Sequence, residues 1–203
     1  MSMIGLEVYE NVLSKETCNE IIRLFEADDR KEPGKNSSGV NDNKVSTDIY
    51  CNFLNDEFEQ YNKLILQDVG EQVARFREKY LFLDHADDWH ISGPYNIQRY
   101  NDGEGYFKAH CEQGGDQPYR MLAWMIYLTD SLCGTEFPYQ EVIVEAKKGN
   151  MAIWSAGWTH PHKGVTPNIG TKYILTGWGH YIAHGRSLFQ LRDKRGTGKE
   201  VSQ

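Results

Sequence analysis

Residues 171–182 read TKYILTGWGHYI, and the alternation in this stretch decides the fold. In an extended strand successive side chains point to opposite faces. Lys172, Ile174, Thr176 and Trp178 therefore share one face, and Tyr173, Leu175 and Gly177 the other. The same period of two runs through 95–100 (YNIQRY), 120–128 (RMLAWMIYL), 141–146 (EVIVEA) and 150–155 (NMAIWS). Turn signals separate these runs: Asn101-Asp102-Gly103, Gly114-Gly115, Cys133-Gly134, Lys148-Gly149 and Asn168-Ile169-Gly170. From residue 95 onward the chain thus reads as all-β.

The N-terminal third has another pattern. Residues 6–13 (LEVYENVL) predict a first strand. Ser14 can cap a helix over 15–26, with Glu16 at its positive end and Ile21, Ile22, Leu24 and Phe25 as its apolar stripe. Residues 29–44 are polar and predict a long loop. In 56–80, Phe58, Tyr61, Leu64, Ile65, Val69, Val73 and Phe76 recur at helical spacing. That stripe needs a partner, most simply the outside of a sheet. The expected class is α+β, with the helices packed on one face of a β-sandwich or open barrel. One domain is expected over 1–185, with a helical N-terminal third. Residues 186–203, carrying five Lys/Arg against two acids, read as a flexible tail.

Composition narrows the function. The chain has 203 residues and a formal charge of −7, which argues against nucleic acid as the main partner. It has no run of 18 apolar residues, and Glu7 and Glu10 interrupt what a signal peptide would need, so a cytoplasmic location without membrane association is expected. Cys18, Cys51, Cys111 and Cys133 show no CxxC spacing and read as reduced thiols.

His110-Cys111-Glu112 places a histidine and a carboxylate on one face of an extended segment. With His162 they would make a two-His-one-carboxylate face, a geometry that leaves coordination positions open and suits non-haem Fe(II). The pair alone is weak: seven His and 29 acids in this length give about one such match by chance, and His85-Ala86-Asp87 is a rival. Context separates them. The His85 pair lies in an acidic, loop-like cluster, whereas the His110 pair precedes the strand-rich region. A Lys and a Thr on the otherwise apolar face of 171–182 add a second signal. A buried ammonium needs an anionic partner, and a dicarboxylate would supply one.

From Tyr95 to Tyr181 the chain resembles the Fe(II)/2-oxoglutarate-dependent dioxygenases, in particular their prolyl-4-hydroxylase-like branch. The matching residues are Tyr100 before NDGEGYFKAHCE, Arg120, Tyr127-Leu128-Thr129, Cys133-Gly134-Thr135-Glu136-Phe137, a Lys-x-Gly turn, an aromatic strand and a distal histidine. LSKETCNEII also looks like the family's opening helix. The resemblance implies a double-stranded β-helix (jelly roll) core over about 90–182, with the N-terminal helices packed against one sheet. It implies iron on His110, Glu112 and His162, with Glu112 standing where the family usually has Asp. His162 is preferred over His160 because Lys172 follows it by ten residues, the family's distance to the cation that binds the far carboxylate of 2-oxoglutarate. Thr176 would add a hydrogen bond there, and Tyr127 and Tyr100 would donate or line the pocket. Arg120, Trp154 and Trp158 are candidate substrate contacts, though each has an ordinary surface or core reading, and the same holds for the 29–44 and 113–119 loops. The implied cofactors are Fe(II), 2-oxoglutarate and O2, with ascorbate left open. The implied reaction is hydroxylation of a C–H bond in a peptidyl, prolyl-type substrate. The alternatives are a free amino acid or small metabolite as substrate, or a non-catalytic jelly-roll binding module.

Overall fold

The computed structural model describes residues 3–36, 38–51, 58–86, 88–166 and 170–182. In chain order the elements are β1 (Leu6–Tyr9), α1 (Lys15–Ala27), β2 (Glu32–Pro33), β3 (Lys44–Val45), β4 (Thr47–Cys51), α2 (Glu59–Lys79), a 3-10 turn (Leu81–His85), β5 (Trp89–Ile91), β6 (Tyr95–Tyr100), β7 (Gly105–Tyr106), β8 (Arg120–Tyr127), β9 (Ser131–Phe137), β10 (Val142–Ala146), β11 (Met151–Ser155), β12 (Lys163–Gly164) and β13 (Lys172–Tyr181). The large sheet runs β1-β11-β8-β13-β6-β4-β2, with β5 added to β13. A smaller sheet runs β10-β9-β12, and β3 pairs with β7. The pairings are antiparallel.

Alternation along the strands divides the interior in two. Ile97 of β6, Leu122, Trp124 and Ile126 of β8, Ile153 of β11 and Leu175 of β13 join one core with Ile21 and Phe25 of α1 and Ile65, Val69 and Phe76 of α2. Both helices thus cover the same face of the large sheet. Ala123 and Tyr127 of β8, Trp154 of β11, Ile174 of β13 and Tyr100 of β6 face the other way and meet Phe137, Val144 and Ala146 of the small sheet. The space between the sheets is where a cavity opens. Ser14 caps α1, its hydroxyl accepting from Thr17 N–H at 3.1 Å. Leu64, expected on the apolar stripe of α2, is largely outside it, and Asn62 is buried instead, accepting from the Tyr95 hydroxyl at 2.6 Å.

Two further sequence expectations change. Cys133-Gly134 is not a turn but lies inside β9. Glycine there serves close strand approach: a Cβ on Gly134 would stand 1.8 Å from the Val144 carbonyl oxygen on β10. The 29–44 stretch is not a plain loop either, for it contains β2 and ends in β3 with Lys44 buried. Gly177 likewise makes room for a close neighbour. It lies across from Trp124, whose indole would come within 2.3 Å of a Cβ. The expected tail, 186–203, and the domain boundary at 185 lie outside the described residues.

Gly134→Ala must displace a backbone carbonyl rather than a flexible side chain. Thermal or urea unfolding should show a loss of about 3 kcal/mol, the upper part of the usual overpacking range.

Candidate metal centre and cavity

His110 and His162 are joined as an antiparallel bridge: His110 N–H donates to His162 O at 3.0 Å, and His162 N–H to His110 O at 2.9 Å. Their rings lie 4.5 Å apart, centre to centre. In each ring Nδ1 pairs with a carbonyl two residues back, Lys108 O at 3.1 Å for His110 and His160 O at 3.0 Å for His162. That pairing orients the rings and turns both Nε2 atoms toward a common point, where each can offer a lone pair to a metal ion or, when it carries a proton, a hydrogen bond to Glu112. Glu112 completes the point. Its Oε1 lies 3.2 Å from His162 Nε2 and 3.7 Å from His110 Nε2. One donor atom from each of the three residues falls within 4.8 Å of the others. Burial acts to raise the Glu112 carboxyl, but His110 and His162 beside it, through hydrogen bonding and charge together, outweigh burial and hold the carboxyl well below its ordinary range. Two imidazoles and one ionised carboxylate on one side of a point are the facial donor set of non-haem Fe(II) sites. The residues present fit that ion.

Packing fixes the donors. Tyr106 of β7 stacks on His110 at 3.7 Å and 15°. Trp154 meets His162 edge-on at 4.9 Å, and Phe137 flanks the same ring at 5.5 Å. His160 is engaged elsewhere: its Nε2 pairs with Ile4 O at 3.0 Å and its Nδ1 with Thr159 Oγ1 at 2.9 Å. Burial lowers its pKa. His85 sits in the 3-10 turn beside Phe82, and its companion Asp87 lies outside the described residues.

The centre opens into a cavity of about 430 Å³. One wall is the inward face of β13: Lys172, Ile174, Thr176 and Trp178. Across the register lie Tyr100, Gln98 and Asn96 of β6, opposite Lys172, Ile174 and Thr176 in turn. Lys172 is 3% exposed. Among the described residues its ammonium has only long contacts, to Val165 O at 3.3 Å and Gly134 O at 3.4 Å, and sits 5.2 Å from the centre of the Tyr100 ring. Burial pushes its pKa down to about 8, and Cys133 acts weakly the other way. An under-partnered cation at the foot of a cavity calls for an anionic ligand.

The other predicted residues divide. Tyr100 lines the cavity with its ring, while its hydroxyl donates to Gln98 Oε1 at 3.0 Å. Tyr127 is fully buried behind the wall, and its hydroxyl pairs with Thr135 Oγ1 at 2.8 Å, so it reaches the cavity only through Thr135. Trp154 packs behind His162 rather than lining the opening. Trp158 is 78% exposed and faces solvent, because its place beside the distal histidine in sequence falls in a turn that leads away from the cavity. Arg120 lines the cavity, but one of its donors is spent on Glu112 Oε2 at 2.9 Å, which makes it a support of the centre. Both predicted substrate loops contribute to the cavity's edge, through Lys35, Asn36 and Lys44 on one side and Gly114, Gly115, Asp116 and Gln117 on the other. Thr135, Met125, Gln98 and Tyr106 were missed. Period-two alternation could have found Gln98, two residues before Tyr100, and Met125, two before Tyr127.

Residues 95–180 match the family model of the 2OG-Fe(II) oxygenase superfamily. Comparison with curated proteins finds no match. Among solved structures the chain is similar to a viral collagen prolyl hydroxylase from Paramecium Bursaria Chlorella virus-1, at TM-score 0.63 and 18% identity, covering 88% of this chain and 97% of that one. It is similar to a Pseudomonas putida prolyl-4-hydroxylase at TM-score 0.63 and 18% identity, covering 88% and 94%. A Trichoplax adhaerens prolyl hydroxylase, in complex with a hypoxia inducible factor oxygen degradation domain peptide fragment, is similar at TM-score 0.68 and 13% identity, covering 96% and 89%. At these identities the likeness is one of fold.

His110→Ala and His162→Ala should each abolish iron binding measured by metal analysis of the purified protein. His160→Ala should retain most of the metal and instead lose about 1–2 kcal/mol of stability, the usual cost of an orphaned buried hydrogen bond. Equal metal loss at His160 would refute the assignment.

Proposed function

We propose that the 2OG-Fe(II) oxygenase domain formed by residues 95–180 hydroxylates a C–H bond of a peptide substrate, with a prolyl residue as the first candidate. One observation carries the reading: the His110–Glu112–His162 donor set and the buried Lys172 ammonium face the same cavity. The peptide part draws on the fold shared with prolyl hydroxylases, one of them in complex with a peptide fragment. A cavity edge made from two separate loops suits an extended chain lying across it. We assign the two sheets to the halves of a double-stranded β-helix and residues 1–185 to one domain.

Iron with 2-oxoglutarate supplies the oxidising chemistry: O2 and 2-oxoglutarate yield CO2 and succinate, and one oxygen atom enters the substrate C–H bond. The chain supplies everything around it. His110, Glu112 and His162 hold the metal. Lys172 meets the far carboxylate of 2-oxoglutarate with a charge-assisted hydrogen bond, and Thr176, on the same face of β13, adds a hydroxyl. The Tyr100 ring keeps the Lys172 ammonium from unfavourable isolation before the anion arrives. Ile174 and Met125 line the cavity between the polar groups and limit water there.

Lys172→Met should raise the Kd for 2-oxoglutarate by one or more orders of magnitude, since a charged hydrogen bond contributes about 1.5–3 kcal/mol, and should leave Fe(II) affinity nearly unchanged. An anaerobic titration of the Fe(II) protein reads both. Unchanged 2-oxoglutarate affinity would remove Lys172 from the site.

The depressed Lys172 pKa also sets a pH dependence. Binding a dianion favours the protonated amine, which the free protein holds below about 8 and loses above it. The Kd for 2-oxoglutarate should be flat below that pH and then rise by up to about tenfold per unit. In Lys172→Arg the rise should vanish, because guanidinium stays charged.

The substrate class is tested by incubating the Fe(II) protein with 2-oxoglutarate and a peptide library, following succinate and a +16 Da shift by mass spectrometry. Hydroxylation of free amino acids with no peptide modified would overturn the peptide reading.

A further inference from the structure

The oxygen of Glu112 that does not face the histidines is held by two donors. Arg120 Nη1 donates to Oε2 at 2.9 Å and Trp178 Nε1 donates to the same atom at 2.7 Å. The two donors also hold each other, for the Arg120 guanidinium carbon lies 3.6 Å from the centre of the Trp178 ring. The other oxygen, Oε1, is the one within reach of both Nε2 atoms. The carboxylate is thereby divided, with one oxygen for the metal and one for the protein.

A local irregularity makes this possible. β8 and β13 pair in register from Ile174↔Tyr127 to Gly179↔Leu122, and the next pair is His180↔Arg120. Met121 is the extra residue of a β-bulge. Met121 and Leu122, adjacent in sequence, both fall in the core beneath the helices, which regular alternation forbids. The bulge shifts the alternation by one. Without it Arg120, an odd number of residues from the cavity-lining Met125, would point to the helix side. With it, Arg120 reaches the cavity and Glu112. Bulges commonly re-aim a side chain beside an active site.

We propose that Arg120 and Trp178 are positioning residues that form a clamp on Glu112 and confine it to a single metal-directed oxygen. The need follows from the residue itself. Glutamate is one methylene longer than aspartate, so its carboxylate has a freer swing and could turn both oxygens toward the ion. A two-His-one-carboxylate face is useful because it leaves positions open, and a second carboxylate oxygen would take one of them. Two donors on Oε2 prevent that turn. The clamp rests on the reading of His110, Glu112 and His162 as the metal site.

The test is a set of anaerobic calorimetric titrations with Fe(II) alone, without 2-oxoglutarate, alongside thermal unfolding of the metal-free proteins. Trp178→Phe keeps a ring under Arg120 but removes one donor, and should lower Fe(II) affinity about tenfold, in the range usual for hydrogen-bonding partners of metal ligands. Arg120→Met should do the same, with Arg120→Lys recovering part of the loss. The decisive measurement repeats Trp178→Phe in the Glu112→Asp background. A shorter carboxylate cannot span the indole N–H and the histidine nitrogens together, so there the substitution should change Fe(II) affinity by less than about threefold. A purely structural role for Trp178 would give equal losses in both backgrounds, and that result, or unchanged affinity in Trp178→Phe, overturns the clamp. Failure of the unsubstituted protein to bind Fe(II) is a separate outcome: it overturns the metal reading, and the clamp with it.

Discussion

Two backbone hydrogen bonds set the dimensions of the centre. The reciprocal bridge between His110 and His162, at 3.0 and 2.9 Å, puts two residues far apart in sequence into strand-like register. Once that register holds, both side chains leave the backbone on the same side, and the carbonyls of Lys108 and His160 lie where each Nδ1 can use them. The position of a ligand atom in space is then determined by peptide geometry rather than by side-chain freedom. Ring contacts on three sides, from Tyr106, Trp154 and Phe137, remove the remaining rotamers. This is preorganisation in its simplest form: the ordering entropy of the donors is spent in folding and not again on binding.

The second constraint is electrostatic. Burying Lys172 costs free energy, and the fold offsets little of it, with two long carbonyl contacts and a ring face. Other polar groups nearby are held more closely. The Asp48 carboxylate accepts from Lys44 at 2.5 Å, Ser46 at 2.7 Å and Gln98 at 3.0 Å. Gln98 in turn receives the Tyr100 hydroxyl. Tyr127 and Thr135 satisfy each other. Against these closely held groups the Lys172 ammonium is weakly held. Departures of this kind concentrate where a ligand completes the set of contacts.

Much of this was legible in the sequence. The strand at 171–182 and its neighbours were readable because their alternation is strict, and the same alternation told which residues face inward. Gly134 defeated the reading of β9, since a glycine that admits a neighbouring strand looks, in one dimension, like a glycine that makes a turn. β4, only five residues long and lodged between a polar stretch and a helix, left no pattern to count. Trp158 misled for another reason: nearness in sequence to a ligand was taken for nearness in space. The contact of Arg120 with Glu112 was hidden by the Met121 bulge, because one extra residue inverts the parity on which every facing argument depends.

In the His160-Pro161-His162 segment the first histidine is engaged away from the cavity. His160 Nε2 pairs with Ile4 O, and Gly5 approaches so closely that a Cβ there would meet the imidazole at 2.9 Å. The carbonyl of the same His160 accepts from His162 Nδ1. One residue thus anchors to the N-terminal segment through its ring and orients the His162 imidazole through its backbone. β1, which begins two residues after Ile4, is itself fixed along β11 by the pairing Leu6↔Trp154, and Trp154 is the residue whose ring meets His162. The N-terminal strand at the margin of the sheet therefore supports the centre by two routes, through His160 and through Trp154, although it contributes no atom to the cavity.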